Sequence, residues 1–121
     1  MQPLLAKDLK TFLKRFDNFR DGEFRLIEVI SPTAIVAKFA GQDSAREFDW
    51  VSIDFEFNGV EDANLIDNKK LSFIDMNDGI NIIHENEKFS FGVGECSSID
   101  SIKNSTCYIT STSVKYRQGS F

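Results

Sequence analysis

Four carboxylates, Asp54, Glu56, Glu61 and Asp62, crowd around the dipeptide Asn58-Gly59. Asn-Gly is the strongest short hairpin signal, because both central positions of that turn need positive φ. A hairpin closed there sets Phe57 opposite Val60 and Glu56 opposite Glu61. Facing carboxylates can do general acid–base work, as in glycoside hydrolysis. They can also be bridged by one Arg or Lys from a partner. A sugar cleft needs aromatic platforms, and this chain has one Trp and two Tyr. The pair is therefore read as part of an acidic docking face, with plain solvation as the bland alternative.

Other reactive residues offer less. His84 is the sole histidine, and His84-Glu85 lacks the second His of a zinc helix. Its alternation with Ile80 and Ile82 places it on a core face opposite Phe89. Asp75-Met76-Asn77-Asp78-Gly79 has its Gly one place early for an EF-hand and Asn86 where the last acidic ligand belongs, so it reads as a turn. Gly92-Val93-Gly94 lacks a third Gly and a following helix, which leaves a bulge or bend rather than a dinucleotide loop. Cys96 and Cys107 read as reduced, half-buried thiols. The sequon Asn104-Ser105-Thr106 is given no weight. No catalytic, metal or cofactor residue is assigned, and no enzyme is expected.

Charge narrows the partner. Residues 48–100 carry twelve Asp/Glu against three Lys/Arg, whereas residues 1–47 carry seven against eight and residues 101–121 none against three. An acidic centre repels phosphate, so nucleic acid is not the expected partner. The opening residues, Met1 to Asp8, are charged and lack an apolar h-region, and no run of residues is apolar enough to span a bilayer. The expected compartment is cytoplasmic, with no membrane partner. Twelve Phe in 121 residues supply enough bulk for one core.

The elements that must position these groups follow from periodicity. Leu5, Leu9, Phe12, Leu13 and Phe16 form one helical stripe, which predicts a helix over 3–19 with Pro3 in its first turn and Gly22 as its stop. After Gly22 the period becomes two: Phe24–Ile30 and Thr33–Phe39 read as strands, and Gly41–Ser44 as a loop. Turn signals recur at Asn58-Gly59, Asn68-Lys69, Asn77-Asp78 and Asn86-Glu87, which predicts a meander. Ser97–Lys103 reads as a short helical turn capped by Ser, and Thr106–Tyr116 as a last strand.

With two-residue turns throughout, one face collects Val51, Ile53, Phe55, Phe57, Leu71, Phe73, Ile80, Ile82, His84, Phe89 and Phe91. The other face carries the candidate partner-binding residues: Trp50, Asp54, Glu56, Glu61, Asp67, Ile74, Met76, Asp78, Ile83 and Glu85. Trp50, Ile74, Met76 and Ile83 are the candidate apolar anchors amid charge. The expected fold is α+β and mostly β in a single domain, 1–121: a curved antiparallel meander, half-barrel or sandwich, of about eight strands, with one N-terminal amphipathic helix packed on it.

The stretch from Trp50 to Val60 (WVSIDFEFNGV), with Phe73 to Ile82 (FIDMNDGINI), resembles small bacterial immunity proteins paired with polymorphic toxins, including contact-dependent growth-inhibition systems. The likeness lies in general character, since such proteins are short, acidic, mostly β and rich in Phe and Asn. It implies a cytosolic protein that binds the C-terminal domain of a cognate toxin, often a basic nuclease, and blocks it. Homodimerisation is left open. The rival reading is a small-ligand-binding domain or enzyme with a cavity inside the curved sheet.

Overall fold

In a computed structural model that describes residues 1–121, nine strands form two antiparallel sheets. The strands are β1 (Gln2–Pro3), β2 (Glu23–Ser31), β3 (Ala34–Asp43), β4 (Asp49–Asn58), β5 (Asp62–Asn64), β6 (Ile80–Glu85), β7 (Lys88–Val93), β8 (Tyr108–Ser111) and β9 (Ser113–Ser120). The first sheet has the order β1-β9-β4-β3-β2 and the second β5-β8-β7-β6. The two helices are α1 (Leu9–Arg15) and α2 (Ile99–Lys103). The expected class, antiparallel and mostly β with an N-terminal helix, is what forms. It is an open two-sheet arrangement and not a closed barrel.

β2, β3 and β4 form the meander that their period of two predicts. Phe39, Ile53, Phe55 and Phe57 all point inward and are fully buried. The loop expected at Gly41–Ser44 is displaced, since Gly41 to Asp43 continue β3 to the end of its pairing with β4. A register shift between Phe24 and Leu26 lets both Phe24 and Ile27 face the core, which strict alternation forbids.

The Asn58-Gly59 turn does not close a hairpin. β4 pairs instead with β3 and β9, and the chain passes at Gly59 to the other sheet, where β5 pairs with β8. β8 and β9, expected as one strand, break at Thr112 and cross between the sheets beside it. The Thr112 N–H donates to the carbonyls of Asn58 and Gly59 at 3.1 and 3.2 Å. Gly59 has φ of +68°, and a Cβ there would lie 2.1 Å from the Thr112 hydroxyl, so the crossing itself requires glycine.

The segment between β5 and β6 holds no strand. Asn68–Phe73 is a 3-10 helix, and Asn77-Asp78-Gly79 is a turn that leads into β6 without closing a hairpin. Only Asn86-Glu87 closes the expected hairpin, with both residues at positive φ and Glu85 opposite Lys88.

The helix predicted over 3–19 is shorter. Pro3 lies in β1, at a sheet edge where its missing N–H costs nothing. A 3-10 turn (Ala6–Asp8) leads into α1, which ends at Arg15, well before Gly22. Asp17, Asn18 and Phe19 take positive φ, which no helix propagates. The break lets Phe19 turn inward and stack on Phe16, with ring centroids 5.1 Å apart. Of the predicted stripe Leu9, Phe12, Leu13 and Phe16 are buried, and Leu5 is exposed. α2 fits its prediction, with Ser98 and Ser101 forming a reciprocal cap.

Aromatic rings join the layers. Phe91 of the second sheet lies 5.8 Å from Phe39 and 5.5 Å from Phe57 of the first. Phe12 of α1 lies 5.9 Å from Phe55 and 4.5 Å from Tyr116. All twelve Phe are buried except Phe48, Phe73 and Phe121. Each buried ring contributes roughly 2–3 kcal/mol of transfer free energy. The helix is also pinned by charge: the Arg15 guanidinium donates to both carboxylate oxygens of fully buried Asp43, at 2.7 and 2.5 Å, and to Gln118 at 2.8 Å.

Candidate functional site

The ten candidate partner-binding residues do not share one face. Trp50, Asp54 and Glu56 lie on the outer face of the five-stranded sheet. There Lys38, Asp54 and Arg117 form one cross-strand row, and Val36, Glu56 and Lys115 the next. Asp54 is buried and accepts from Arg117 at 2.8 Å, with the Lys38 ammonium 3.8 Å away. Glu56 accepts from Asn58 at 3.1 Å. Asp54 is thus compensated within the sheet by opposite charges across the ladder, while Glu56 lies opposite Lys115 with only the Asn58 amide bound to it.

The Glu56–Glu61 pair does not exist. Glu56 faces Val36 and Lys115, while Glu61 lies beyond the sheet crossing and binds the Lys88 ammonium at 2.7 Å. The expectation fails because a two-residue turn does not form where the chain changes sheets. Trp50 is partly exposed, with its ring 5.5 Å from that of Phe121, which in turn carries the Arg25 guanidinium at 5.0 Å. Ile83 and Glu85 sit on β6, remote in sequence pairing from these rows.

Asp67, Ile74, Met76 and Asp78 do come together, on a ridge over residues 67–78. The Asp67 side chain caps the 3-10 helix by accepting from the Lys69 N–H at 2.9 Å. Leu71 is buried, and Asn68 hooks the ridge to β2: its amide accepts from the Ile27 N–H at 2.8 Å and donates to the Ile27 carbonyl at 2.9 Å. The Met76 carbonyl accepts from the Asp21 and Gly79 N–H groups at 2.8 and 3.0 Å. Two of the expected anchors serve the core instead: Met76 is buried and Ile74 packs half-buried against it.

The exposed anchor on the ridge is Phe73, which the alternating pattern assigns to the core. It is 85 % exposed, the most exposed large apolar side chain of the chain. Leu71 and Phe73 share a face only if the period is two. In a 3-10 helix, three residues per turn place Leu71 with Ile74 and send Phe73 to the other side. The signal available in the sequence is the Asp67 cap followed by Leu71 and Ile74 three apart.

Two clefts flank the ridge. One, of about 670 Å³, lies between the ridge and the start of β2 and is lined by Asp21, Glu23 and Asp75 against a single cation, Arg25. The other, of about 500 Å³, is walled by Leu65, Ile66 and Phe73 with Asp67, Asp75 and Lys70 on its rim. Asp78 is exposed in the adjoining turn.

The remaining candidates lie away from the ridge. His84 pairs with Phe89 as expected, with its ring 4.6 Å away, but lies beyond the end of the core and is exposed, not half-buried. Cys96 and Cys107 are free and buried, and burial pushes the Cys107 thiol up to about 11. The space between the sheets, where a ligand cavity was the rival expectation, is filled by the aromatic cluster. No group of three or more His, Cys, Asp or Glu is arranged to hold a metal ion. No helix is long and apolar enough to cross a membrane. No family model, curated protein or solved structure matches this chain.

Proposed function

We propose that this chain is a toxin-neutralising immunity protein that binds a basic protein domain, in the bacterial cytosol, through the ridge at 67–78. The observation that carries the reading is Phe73, held 85 % exposed by a segment anchored on both sides. Exposing a phenylalanine forfeits transfer free energy that its neighbours Leu71 and Met76 collect. A large apolar side chain ringed by charge is the usual composition of an interface hot spot. The surrounding carboxylates, Asp67, Asp75 and Asp78 with Asp21 and Glu23 across the cleft, outnumber the cations Lys69, Lys70 and Arg25 there, and the acidic excess favours Lys and Arg on the partner and speeds the encounter. Inhibition is then steric: the ridge seats in the toxin's own concave site, and Phe73 slows release. Nothing in this mechanism uses Asp54 or Glu56.

The test is co-expression with the toxin domain encoded beside this gene, followed by binding of the purified pair. The chain should restore growth, and Phe73→Ala should weaken binding by roughly thirtyfold, a hot-spot loss of about 2 kcal/mol. Asp75→Asn should slow association and flatten its salt dependence. Unimpaired binding by Phe73→Ala would remove the ridge from the interface, and failure to restore growth would remove the immunity reading altogether.

A further inference from the structure

β6 is a sheet edge with an accessible, unplugged ladder; the end of β9 past its pairing with β1 is the other, and no groove borders it on a second element. β1 and β5 are edges of two and three residues. β2 is plugged at Ile27 by Asn68 and is kinked by register shifts near both ends. On β6 the two-residue hairpin fixes which backbone groups are free. Glu85 and Lys88 flank that turn and form a hydrogen-bonded pair, so Ile83 and Asn81 also bond to β7. The N–H and carbonyl groups of Ile82 and His84 therefore point away from the sheet, and no backbone or side-chain group bonds to them. Ile80 has the same parity, and its carbonyl accepts from Asn18 at 3.2 Å, which confirms the outward direction and closes that end of the edge.

The edge runs along a groove of about 600 Å³ whose opposite wall is α1. Leu9 and Leu13 of α1 give the groove an apolar side, and Cys96 with Ser97 forms its other lip. None of its lining residues is acidic, although the chain is acidic overall, and Lys10 is engaged in no ion pair. His84 stands at the open end, exposed against Phe89.

We propose that this groove binds an extended segment of a partner protein, which adds a strand to β6 and sets a carboxylate against Lys10. The ladder groups of Ile82 and His84 supply two donors and two acceptors to the incoming backbone. Because successive side chains of a strand alternate, every second residue of the segment packs toward Leu9 and Leu13, and the others face Asn81 and Ile83. Lys10 selects for an acidic side chain by charge. The site is separate from the ridge and does not rest on the immunity reading, whose partner surface is basic.

The experiment uses two capped pentapeptides of alternating valine and threonine, one with a central glutamate and one with a central lysine. Backbone amide shifts and hydrogen exchange are followed on the full chain. At millimolar glutamate peptide, the Ile82 and His84 amides should shift and exchange more slowly, while Ile83 and Asn81 stay as they were. The lysine peptide, and the surface variant Lys10→Glu with the glutamate peptide, should each bind at least roughly threefold more weakly. Ile82→Pro removes one outward donor at an edge position, and it should abolish the response if it folds. Absence of any response, equal affinity for both peptides, or changes centred on Val29 of β2 would overturn the proposal. Concentration-dependent protection of Ile82 and His84 without peptide, with a dimer in sedimentation, would also overturn it in favour of a second copy.

Discussion

β4 and the ridge at 67–78 look alike in sequence and behave in opposite ways. Phe55 and Phe57 are two apart in β4, and Leu71 and Phe73 are two apart in the ridge. In β4 both residues are fully buried. In the ridge one is buried and the other is the most exposed large apolar residue of the chain. The difference lies in what surrounds each pair. β4 alternates without interruption from Val51 to Phe57 and finds a full-length partner on each side, β3 and β9. The ridge begins with an Asp cap and offers the next inward residue after Leu71, Ile74, at a spacing of three, so an alternation of two residues there is accidental. A short period-two pattern specifies a strand only when the repeat is long enough to exclude a period of three.

The sharpest way to break this comparison is to truncate both rings. Phe55→Ala should lower the unfolding free energy by about 3–5 kcal/mol in chemical denaturation, since it empties the junction between α1 and the sheet. Phe73→Ala should change it by no more than about 0.5 kcal/mol. Comparable losses for the two would mean that the ridge is packed in solution and that Phe73 is a core residue.

The next effect contrasts buried with exposed carboxylates. Asp43→Ala should cost about 2–3 kcal/mol, because it strands Arg15 beside the core; the cost is moderated by the partial exposure of Arg15. The Arg15 hydrogen bonds hold the Asp43 carboxyl below its ordinary range, outweighing its burial. A lowered pKa in the folded state means that this stabilisation is complete above the unfolded carboxylate range, near pH 4. It is lost as the pH falls through that range toward the lower folded value. Melting temperature measured from pH 6 down to pH 2 should therefore fall less steeply in Asp43→Ala than in the natural chain. Parallel curves would place the acid sensitivity elsewhere.

Asn68→Ala tests what ties the ridge to the meander. Two hydrogen bonds to Ile27 disappear and its backbone groups lose their only partner, so a loss of about 1–2 kcal/mol is expected. Exchange of the Ile27 amide should accelerate most. If protection at Ile27 survives, the ridge is not held by that amide. The smallest effect belongs to the double change Glu56→Gln with Glu61→Gln, which should alter stability by no more than about 0.5 kcal/mol and should leave binding at the ridge unchanged. A marked drop in affinity would return those two residues to the interface.

Legibility follows the length of the repeat. β3, β4 and the β6–β7 hairpin are readable because uninterrupted alternation or a turn with two positive-φ residues specifies each locally, whereas β2 is readable as a strand but its inward face is set by register shifts that alternation does not report. α2 is readable from its Ser cap. The candidate surface is half readable: Asp67 and Asp78 are exposed as the pattern has them, while it puts Phe73 on the wrong side and presents Ile74 and Met76 as free anchors. It pairs Glu56 with Glu61 through a turn that does not form, because Gly59 serves a crossing between sheets. That role depends on Thr112, more than fifty residues away in the chain, and no local pattern reports it.

By itself the sequence determined composition, charge and local periodicity. Those were sufficient for a mostly antiparallel β class, an amphipathic helix at the start, an acidic centre and most of the buried phenylalanines, because burial of bulky apolar residues at a regular spacing is a local property. Tertiary structure alone decided that two sheets form instead of one, that β9 rather than β5 lies beside β4, that Asp54 is paired with Lys38 and Arg117, and that Glu56 accepts from the Asn58 amide. It also decided which phenylalanine is left outside. Strand pairing and ion pairing join residues far apart in the chain, and their energies depend on which partner arrives, which the order of residues near each site does not encode.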